Sequence, residues 1–333
     1  MTPADKTALV KSAAAELGFD RVGVTTARTL QREAYYRDWL ARGHAGSMDY
    51  LTRNVESRVD PSRLFAGARS IICTAINYRR TDSNPPGSAP PAAETAPTGR
   101  IAQYARGEDY HVVVRDLLET LIHRLRQRLN EQFDARACVD TAPLIERELA
   151  AAAGVGWIGK NTLVMHETAG SYLFLGEIVT TLDLEPDAPA IDHCGTCTRC
   201  LEACPTDAFI APYQMDASRC ISYLTIEHRA PIAPTLASKL GDWVYGCDIC
   251  QDVCPHNSKS PPGTEPRLMA NRLPARIELG PLIALRSGDY RRLTRGTAAR
   301  RATRAMWQRN AAIAAENARH GGAGDAPETR TPM

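Results

Sequence analysis

Along the first part of the chain, apolar positions switch between helical and strand spacing, and the switches predict helices and strands taking turns. Leu9, Val10 and Ala13 to Ala15 form a stripe that predicts a helix over Met1 to Leu17, ended by Gly18. Asp20 to Thr25 is a short buried strand around Arg21-Val22-Gly23-Val24. Arg32 to Gly43 is helical, with Gly43 as its C-cap, and Gly46 to Leu51 begins another short helix. Ser57-Arg58-Val59-Asp60-Pro61 is a turn, because proline biases the residue before it away from helix. The β-branched run Ser70 to Ile76 is a core strand, with Cys73 packed inside it. Asp82 to Gly99, rich in Pro, Ala, Gly and Ser, is expected to be a flexible surface loop.

A long helix follows from His111 to Gln132. Then come a strand from Ala135 to Val139 with Cys138 in the core, a helix from Thr141 to Ala153, and a strand from Ser171 to Thr181. Such alternation argues for an α/β layer. Leu184 to Ala190, with Pro186 and Pro189, links this part to a cysteine-rich one. Beyond a proline-rich connector, Arg286 to Asn317 is helical, and His320 to Met333 is expected to be disordered.

The cysteines change the picture most. Cys194, Cys197, Cys200 and Cys204, followed by Pro205, spell C-x2-C-x2-C-x3-C-P, the bacterial ferredoxin run. Cys220 stands alone, and Cys247, Cys250 and Cys254 follow, again before a proline, Pro255. Eight cysteines so grouped suit two [4Fe–4S] clusters, the last cysteine of each run crossing to the other cluster. Cys194, Cys197, Cys200 and Cys254 then hold one cluster, and Cys204, Cys220, Cys247 and Cys250 the other. Zinc explains neither the third cysteine at short spacing nor the repeated Cys-Pro, and disulfides demand an oxidising compartment. The insert Ile221 to Gly246 separates Cys220 from Cys247 and is expected to do something besides hold iron.

Ten cysteines, eight of them grouped as ligands, point to a reducing cytosol. Met1 to Val10 carries no long apolar core or twin arginine, and no apolar run is long enough to span a bilayer. The chain is therefore expected to be cytoplasmic, away from membranes and monomeric. A net charge of +2 says little about partners. Its distribution says more: Arg286, Arg291, Arg292, Arg295, Arg300, Arg301, Arg304 and Arg309 crowd the C-terminal part, with Asp289 as the acid among them. They form either a surface for an RNA backbone or a solvated helix face.

Two stretches carry candidate chemistry in the first part. Tyr104 to His111 combines aromatics, charges and a histidine before a helix, so His111 is either a helix-entry residue or a contact to cofactor or substrate. Asp140 ends a strand, where ligands collect in open α/β sheets, although it could equally cap the following helix. The glycine-rich loop Gly154 to Asn161 fits neither nucleotide motif, yet its glycines let a ligand approach the backbone.

Taken together, these pieces resemble the epoxyqueuosine reductase family. The residues that carry the resemblance are Ser57 to Pro61, Tyr104 to His111, Asp140-Thr141-Ala142-Pro143-Leu144, Gly156-Trp157-Ile158-Gly159-Lys160-Asn161, the cysteine run, Arg219 to Glu227, and Gly246 to Pro255. Asn310-Ala311-Ala312-Ile313-Ala314 is similar to that family's HEAT-like C-terminal helix. The resemblance implies an α/β (α+β) cobalamin-binding catalytic domain over 1–185 and a ferredoxin-like domain with two [4Fe–4S] clusters over 186–260. A helical, HEAT-like, tRNA-contacting region over 261–319 and the tail 320–333 complete the division. Some members carry a longer repeat tail, so the grip on tRNA there is expected to be reduced.

The same resemblance implies the activity: reduction of epoxyqueuosine to queuosine at the wobble position of tRNA anticodons, the last step of that pathway. It also implies base-off cobalamin, two clusters and a low-potential electron donor. Asp140 matches the general acid, and raising its pKa would take apolar burial or nearby negative charge. Cobalamin contacts are expected from Arg58, Asp140, Ile158, Lys160, Asn161, Ser171, Ser222, Tyr223, Cys247 and Asp248, although Tyr223 and Ile226 could simply pack against a cluster. tRNA contacts are expected from His228, Arg229, Arg291, Arg292, Arg295, Arg300, Arg301 and Arg304. A competing enzymatic reading is a corrinoid reductive dehalogenase, which the arginine-rich C-terminal helices and the N-terminus without twin arginine disfavour. A bare electron-transfer module would not need the long α/β part.

Overall fold

The computed structural model describes residues 1–81 and 96–321. Its first layer is a four-stranded sheet in the order Arg21–Thr26, Ser70–Asn77, Leu173–Thr180, Ala135–Cys138, and every pairing is antiparallel. Alternating strands and helices suggest parallel crossovers, but here every pair of neighbouring strands runs in opposite directions. The layer is mixed α/β in content without being a doubly wound parallel sheet.

Strand Ser70–Asn77 is buried at all eight positions, because both faces of the sheet are covered. Ile72 and Ile76 meet the helices Pro3–Ala15 and Tyr110–Arg128, while Ile71, Cys73 and Ala75 meet the helix Glu146–Ala152. In Tyr110–Arg128 the buried Val113, Val114, Leu118, Leu121, Ile122 and Leu125 recur at three- and four-residue spacing, one stripe of an amphipathic helix. Burial of each such leucine contributes about 1.5–3 kcal/mol. Asp109 caps this helix by accepting from the His111 amide at 3.1 Å. Gly23 lets the sheet approach the end of Glu146–Ala152 closely, since a Cβ there would stand 1.9 Å from the Ala153 carbonyl oxygen.

Several boundaries differ from the sequence expectation. The turn expected over Ser57 to Pro61 is the end of a short helix, Val55–Val59, which stops at Asp60 before the proline, and the long helix ends at Arg128 rather than Gln132. The helix expected from Thr141 begins only at Glu146. Residues 141–145 turn instead, because Pro143 disfavours helical backbone at the residue before it. The stretch expected to loop through Gly99 ends in a strand, Thr98–Ile101, and residues 82–95 of that expectation lie outside the described residues. It pairs antiparallel with Arg276–Glu278 and parallel with Trp243–Tyr245, so one small sheet draws on three distant parts of the chain. Arg286 to Asn317 divides into Ser287–Leu293, a 3-10 turn over Ala298–Arg301 and Arg304–Gly321, with Gly296 at φ +68 between the first two. That last helix takes in His320, and the rest of the expected disordered tail, 322–333, lies outside the described residues.

Short helices carry the cysteines: Arg199–Glu202, Ile249–Asp252, and Ile221–Ile226 just after Cys220. The last helix locks onto the small sheet. Trp307 is fully buried and stacks on Tyr245 at 5.2 Å, and the Asn310 amide donates to the carbonyls of Thr225 and Val244 at 2.9 Å each. Among the described residues no helix is long and apolar enough to cross a membrane.

Candidate active site

Asp140 follows the edge strand Ala135–Cys138 with φ +53, a left-handed backbone that Asp tolerates better than most side chains. Its N–H donates to Oε1 of Glu146, so it does not cap the helix that begins there. Its Oδ2 lies 3.0 Å from Nε2 of His111, whose Nδ1 lies 2.7 Å from Oδ1 of Asp109. A ring flanked by two carboxylates suits an imidazolium that donates from both nitrogens. Burial opposes the His111 charge, but the hydrogen bonds to Asp109 and Asp140 outweigh it and push the imidazole up to about 9.

Asp140 responds in the opposite sense. Burial alone would raise its carboxyl, but the His111 hydrogen bond and charge hold it below the ordinary value. The sequence called for a raised carboxyl; here the proton sits on the neighbouring imidazole. The Asp140 side chain is 55% exposed yet feels Tyr50, Tyr104, Tyr110, Arg301 and Glu146 around it. Tyr110 stacks between His111 at 4.1 Å and Phe174 at 4.4 Å, which fixes the histidine ring.

Arg301 extends this site. Its guanidinium forks onto both oxygens of Glu227 at 2.8 and 2.7 Å and lies 5.3 Å over the Tyr50 ring. Arg58 is buried and donates to the carbonyls of Arg53 and Tyr50 at 3.3 and 3.1 Å, holding the segment that carries Tyr50. In the same segment Gly46, at φ +58, faces the Tyr223 ring, where a Cβ would come within 2.6 Å. The Tyr223 hydroxyl accepts from the Ser47 amide at 2.8 Å and lies 3.5 Å from Nδ1 of His228. Asp140, Arg58, Arg301 and Tyr223 are thus tied into one region through residues 46–53.

The cysteines stand close together. Cys194, Cys197, Cys200 and Cys254 line one cavity with Lys160, Asn161, His193 and His256. Burial first, then the neighbouring Cys254, Cys194 and Cys197, pushes the Cys200 thiol up to about 11. Cys250 is raised by burial and then by Cys220, Cys200 and Cys204, and Cys247 by burial and then by Cys250 and Cys220. Thiols gathered so closely repel one another as thiolates, and a cationic iron–sulfur core removes that penalty, so the donor set fits two clusters. Among the described residues no three His, Cys, Asp or Glu side chains converge on one point for a single metal ion; the first set is spread round a cavity instead. Trp157 donates from Nε1 to Sγ of Cys194 at 3.4 Å, and Lys160 closes the loop by donating to the Gly195 and Cys197 carbonyls at 2.7 and 2.9 Å.

Several other expected cofactor contacts are engaged within the protein. Ile158 is in a two-stranded hairpin with Val164, and Asn161 accepts from the Leu163 amide at 3.2 Å. The Ser171 hydroxyl accepts from Gln251 and Asn257 at 3.1 and 2.9 Å in a buried network. Asp248 accepts from the Gln103 amide at 2.8 Å, and burial together with Asp252 pushes it up to about 7. Ser222 and Tyr223 stand on the helix after Cys220. Beside Cys247, Gly246 at φ +68 leaves room for Tyr104, whose ring lies 6.2 Å from that of Tyr110. One aromatic path therefore joins the second cysteine set to the Asp140 pocket.

Arg291, Arg292, Arg295, Arg300, Arg301 and Arg304 are all exposed. Arg292 pairs with Asp289, Arg304 donates to the Leu285 carbonyl at 3.1 Å, Arg229 reaches Sδ of Met306 at 3.9 Å, and Nε2 of His228 lies 3.2 Å from the Pro231 carbonyl oxygen. Arg309, counted with them by charge, is spent on the carbonyls of His228, Ala230 and Leu224. Sequence reading missed Tyr50, Glu227, Glu146 and Glu177. Glu177 had a visible signal, a carboxylate in the middle of the apolar run Leu173 to Thr180.

Residues 58–141 match the family model described as Epoxyqueuosine reductase QueG, DUF1730, and residues 193–257 match that of the 4Fe-4S double cluster binding domain. The chain is 39% identical over 319 residues to the epoxyqueuosine reductase of Xanthomonas campestris pv. campestris, covering 95% of this chain and 88% of that one. To the epoxyqueuosine reductase of Escherichia coli strain K12 it is 37% identical over 309 residues, covering 93% and 80%. It is also similar to a crystal structure of epoxyqueuosine reductase with a tRNA-Tyr epoxyqueuosine-modified stem loop, at TM-score 0.86 and 31% identity, covering 95% of this chain and 82% of that one. The epoxyqueuosine reductase of Streptococcus thermophilus aligns at TM-score 0.81 and 32% identity, covering 93% and 81%.

Proposed function

The chain belongs to the epoxyqueuosine reductase family, and from that premise we propose that it reduces epoxyqueuosine to queuosine at the wobble position of tRNA anticodons. The reaction consumes two electrons and two protons, breaks both epoxide C–O bonds, and leaves an alkene and water. Two [4Fe–4S] clusters on the eight cysteines carry the electrons. Cobalamin, when bound, would supply the low-potential reducing chemistry that the epoxide needs. Asp140 and His111 at one end, and Tyr104 with Gly246 beside Cys247 at the other, are the groups that would face it. Ser222, Tyr223 and backbone of the Ile158 loop are its natural holders, while Arg58, Lys160, Asn161, Ser171 and Asp248 act chiefly by fixing the walls.

The observation that carries this reading is the Asp109–His111–Asp140 relay on a left-handed loop. Asp140 hands a proton to the oxygen as the C–O bond breaks. His111, kept charged by its two carboxylates, replaces that proton, so a carboxyl with a lowered pKa still works as an acid at neutral pH. Tyr110 holds the relay in plane.

Residues 1–185 act as the catalytic, cobalamin-binding part, 186–260 as the ferredoxin-like part and 261–319 as a short HEAT-like region that meets tRNA. The exposed arginines Arg291, Arg292, Arg295, Arg300 and Arg304, with His228 and Arg229, take the phosphates. Arg301, at the pocket edge, offers a guanidinium plane on which an unstacked anticodon base can lie. The enzyme works as a monomer fed by a low-potential donor. The test is nucleoside mass spectrometry on epoxyqueuosine-rich tRNA, incubated anaerobically with reconstituted protein, cobalamin and a strong reductant. Queuosine should appear; none, with clusters and corrin both bound, overturns the reading.

A further inference from the structure

Beneath the Asp140 loop lies a second pair of acids that the relay does not use. Glu177 sits in the middle of the central strand Leu173–Thr180 and is fully buried. Its cross-strand neighbours are Cys73 and Cys138, on the face covered by the helix Glu146–Ala152. Neither Glu177 oxygen finds a donor among the described residues, and the charged group acting on it most strongly is the carboxyl of Glu146. Two ionised carboxylates cannot hydrogen-bond each other, and a buried carboxylate without a donor is costly. One proton between them removes both problems, turning a repulsive contact into a short O–H···O bond.

Glu146 reaches the other way as well. Its Oε1 accepts from the backbone N–H of Asp140, an anchor for a residue whose backbone is left-handed at φ +53. We propose that Glu146 and Glu177 act as one singly ionised carboxyl pair that positions the Asp140 loop, Glu177 supplying the proton and Glu146 the charged acceptor. The inference rests on Asp140 being the acid of the pocket. Burial, then the Asp140 charge, pushes Glu146 up to about 7, and burial, then Glu146, raises Glu177 well above the ordinary carboxyl value. The ionisable groups facing the pair are Asp140, Arg147, Tyr110, Cys73 and Cys138, of which Arg147 is the cation. Carboxyls raised in the fold stabilise it at low pH, and that contribution is lost as pH rises from the ordinary value near 4.5 through about 7 and above.

Three readouts on the cluster-loaded full chain test this. At neutral pH, infrared spectra should show a protonated, buried carboxyl band that Glu177→Gln removes. Glu146→Ala should speed hydrogen exchange of the Asp140 amide by about tenfold or more, while Glu146→Gln, whose oxygen can still accept, restores most of the protection. Glu177→Gln mimics the protonated acid, so it should keep that protection and flatten the loss of thermal stability above about pH 7. Absence of the carboxyl band, or unchanged exchange in Glu146→Ala, overturns the proposal. Neither measurement needs turnover, so a wrong assignment of the reaction would leave both readable.

Discussion

At the Asp140 pocket charge is matched group by group, whereas at the cysteine layer it is left unmatched. Asp109 and Asp140 share His111, and Glu227 holds Arg301. The thiols instead have one another as neighbours, and burial and mutual repulsion raise Cys200, Cys247 and Cys250. The protein alone completes the first region, and iron completes the second. They should therefore fail independently: one by losing proton chemistry with its frame intact, the other by losing metal and frame together.

The largest effect should come from the second region. Cys200→Ala removes a ligand of the Cys194 set, and iron content should fall from about eight atoms per chain to about four, with turnover lost. Retention of full iron would break the assignment of the two sets. Asp140→Asn should lower turnover by about 10²–10⁴-fold while iron content and thermal stability stay near those of the parent. Loss of iron in that variant would mean the two regions are not independent.

The smallest effect is one of pH. Folding raises the His111 pKa above its ordinary 6.5, so its ion pair stabilises the fold fully below that value and is lost as pH rises through about 9. Turnover should decline through the same window. His111→Gln should flatten the alkaline limb of the pH profile and lower turnover at pH 7, without changing the cluster absorption spectrum. A parent profile flat to well above pH 9 would mean that the imidazole is not the proton store.

The two regions also differed in how far they could be read in advance. Cluster ligands sit at fixed short spacings, so Cys194 to Cys204 and Cys247 to Cys254 announce their chemistry directly. The core strands were legible as well, since Ser70 to Ile76 is β-branched and apolar throughout. Asp140 stood out by its place at a strand end, where capping a helix was equally open, and its role came from the family resemblance; its partners were not legible. Glu146 and Glu177 meet only because the strand Leu173–Thr180 pairs beside Ala135–Cys138, and spacing along the chain does not encode that register. Strand direction was hidden too, because helices between strands are compatible with parallel or antiparallel return. The contacts of Lys160 and Ser171 turn on which way a side chain points within a loop, which composition does not report.

The small sheet of Thr98–Ile101, Trp243–Tyr245 and Arg276–Glu278 has a consequence for synthesis on the ribosome. Thr98–Ile101 leaves the exit tunnel long before either partner exists, and its edge toward Arg276–Glu278 stays unpaired while the whole cysteine layer is made. The last cysteine, Cys254, emerges before Glu278 closes the sheet. Metal delivered to the nascent chain would meet all eight thiols before the frame around them is complete, and cofactor loading in this protein is best timed to chain release.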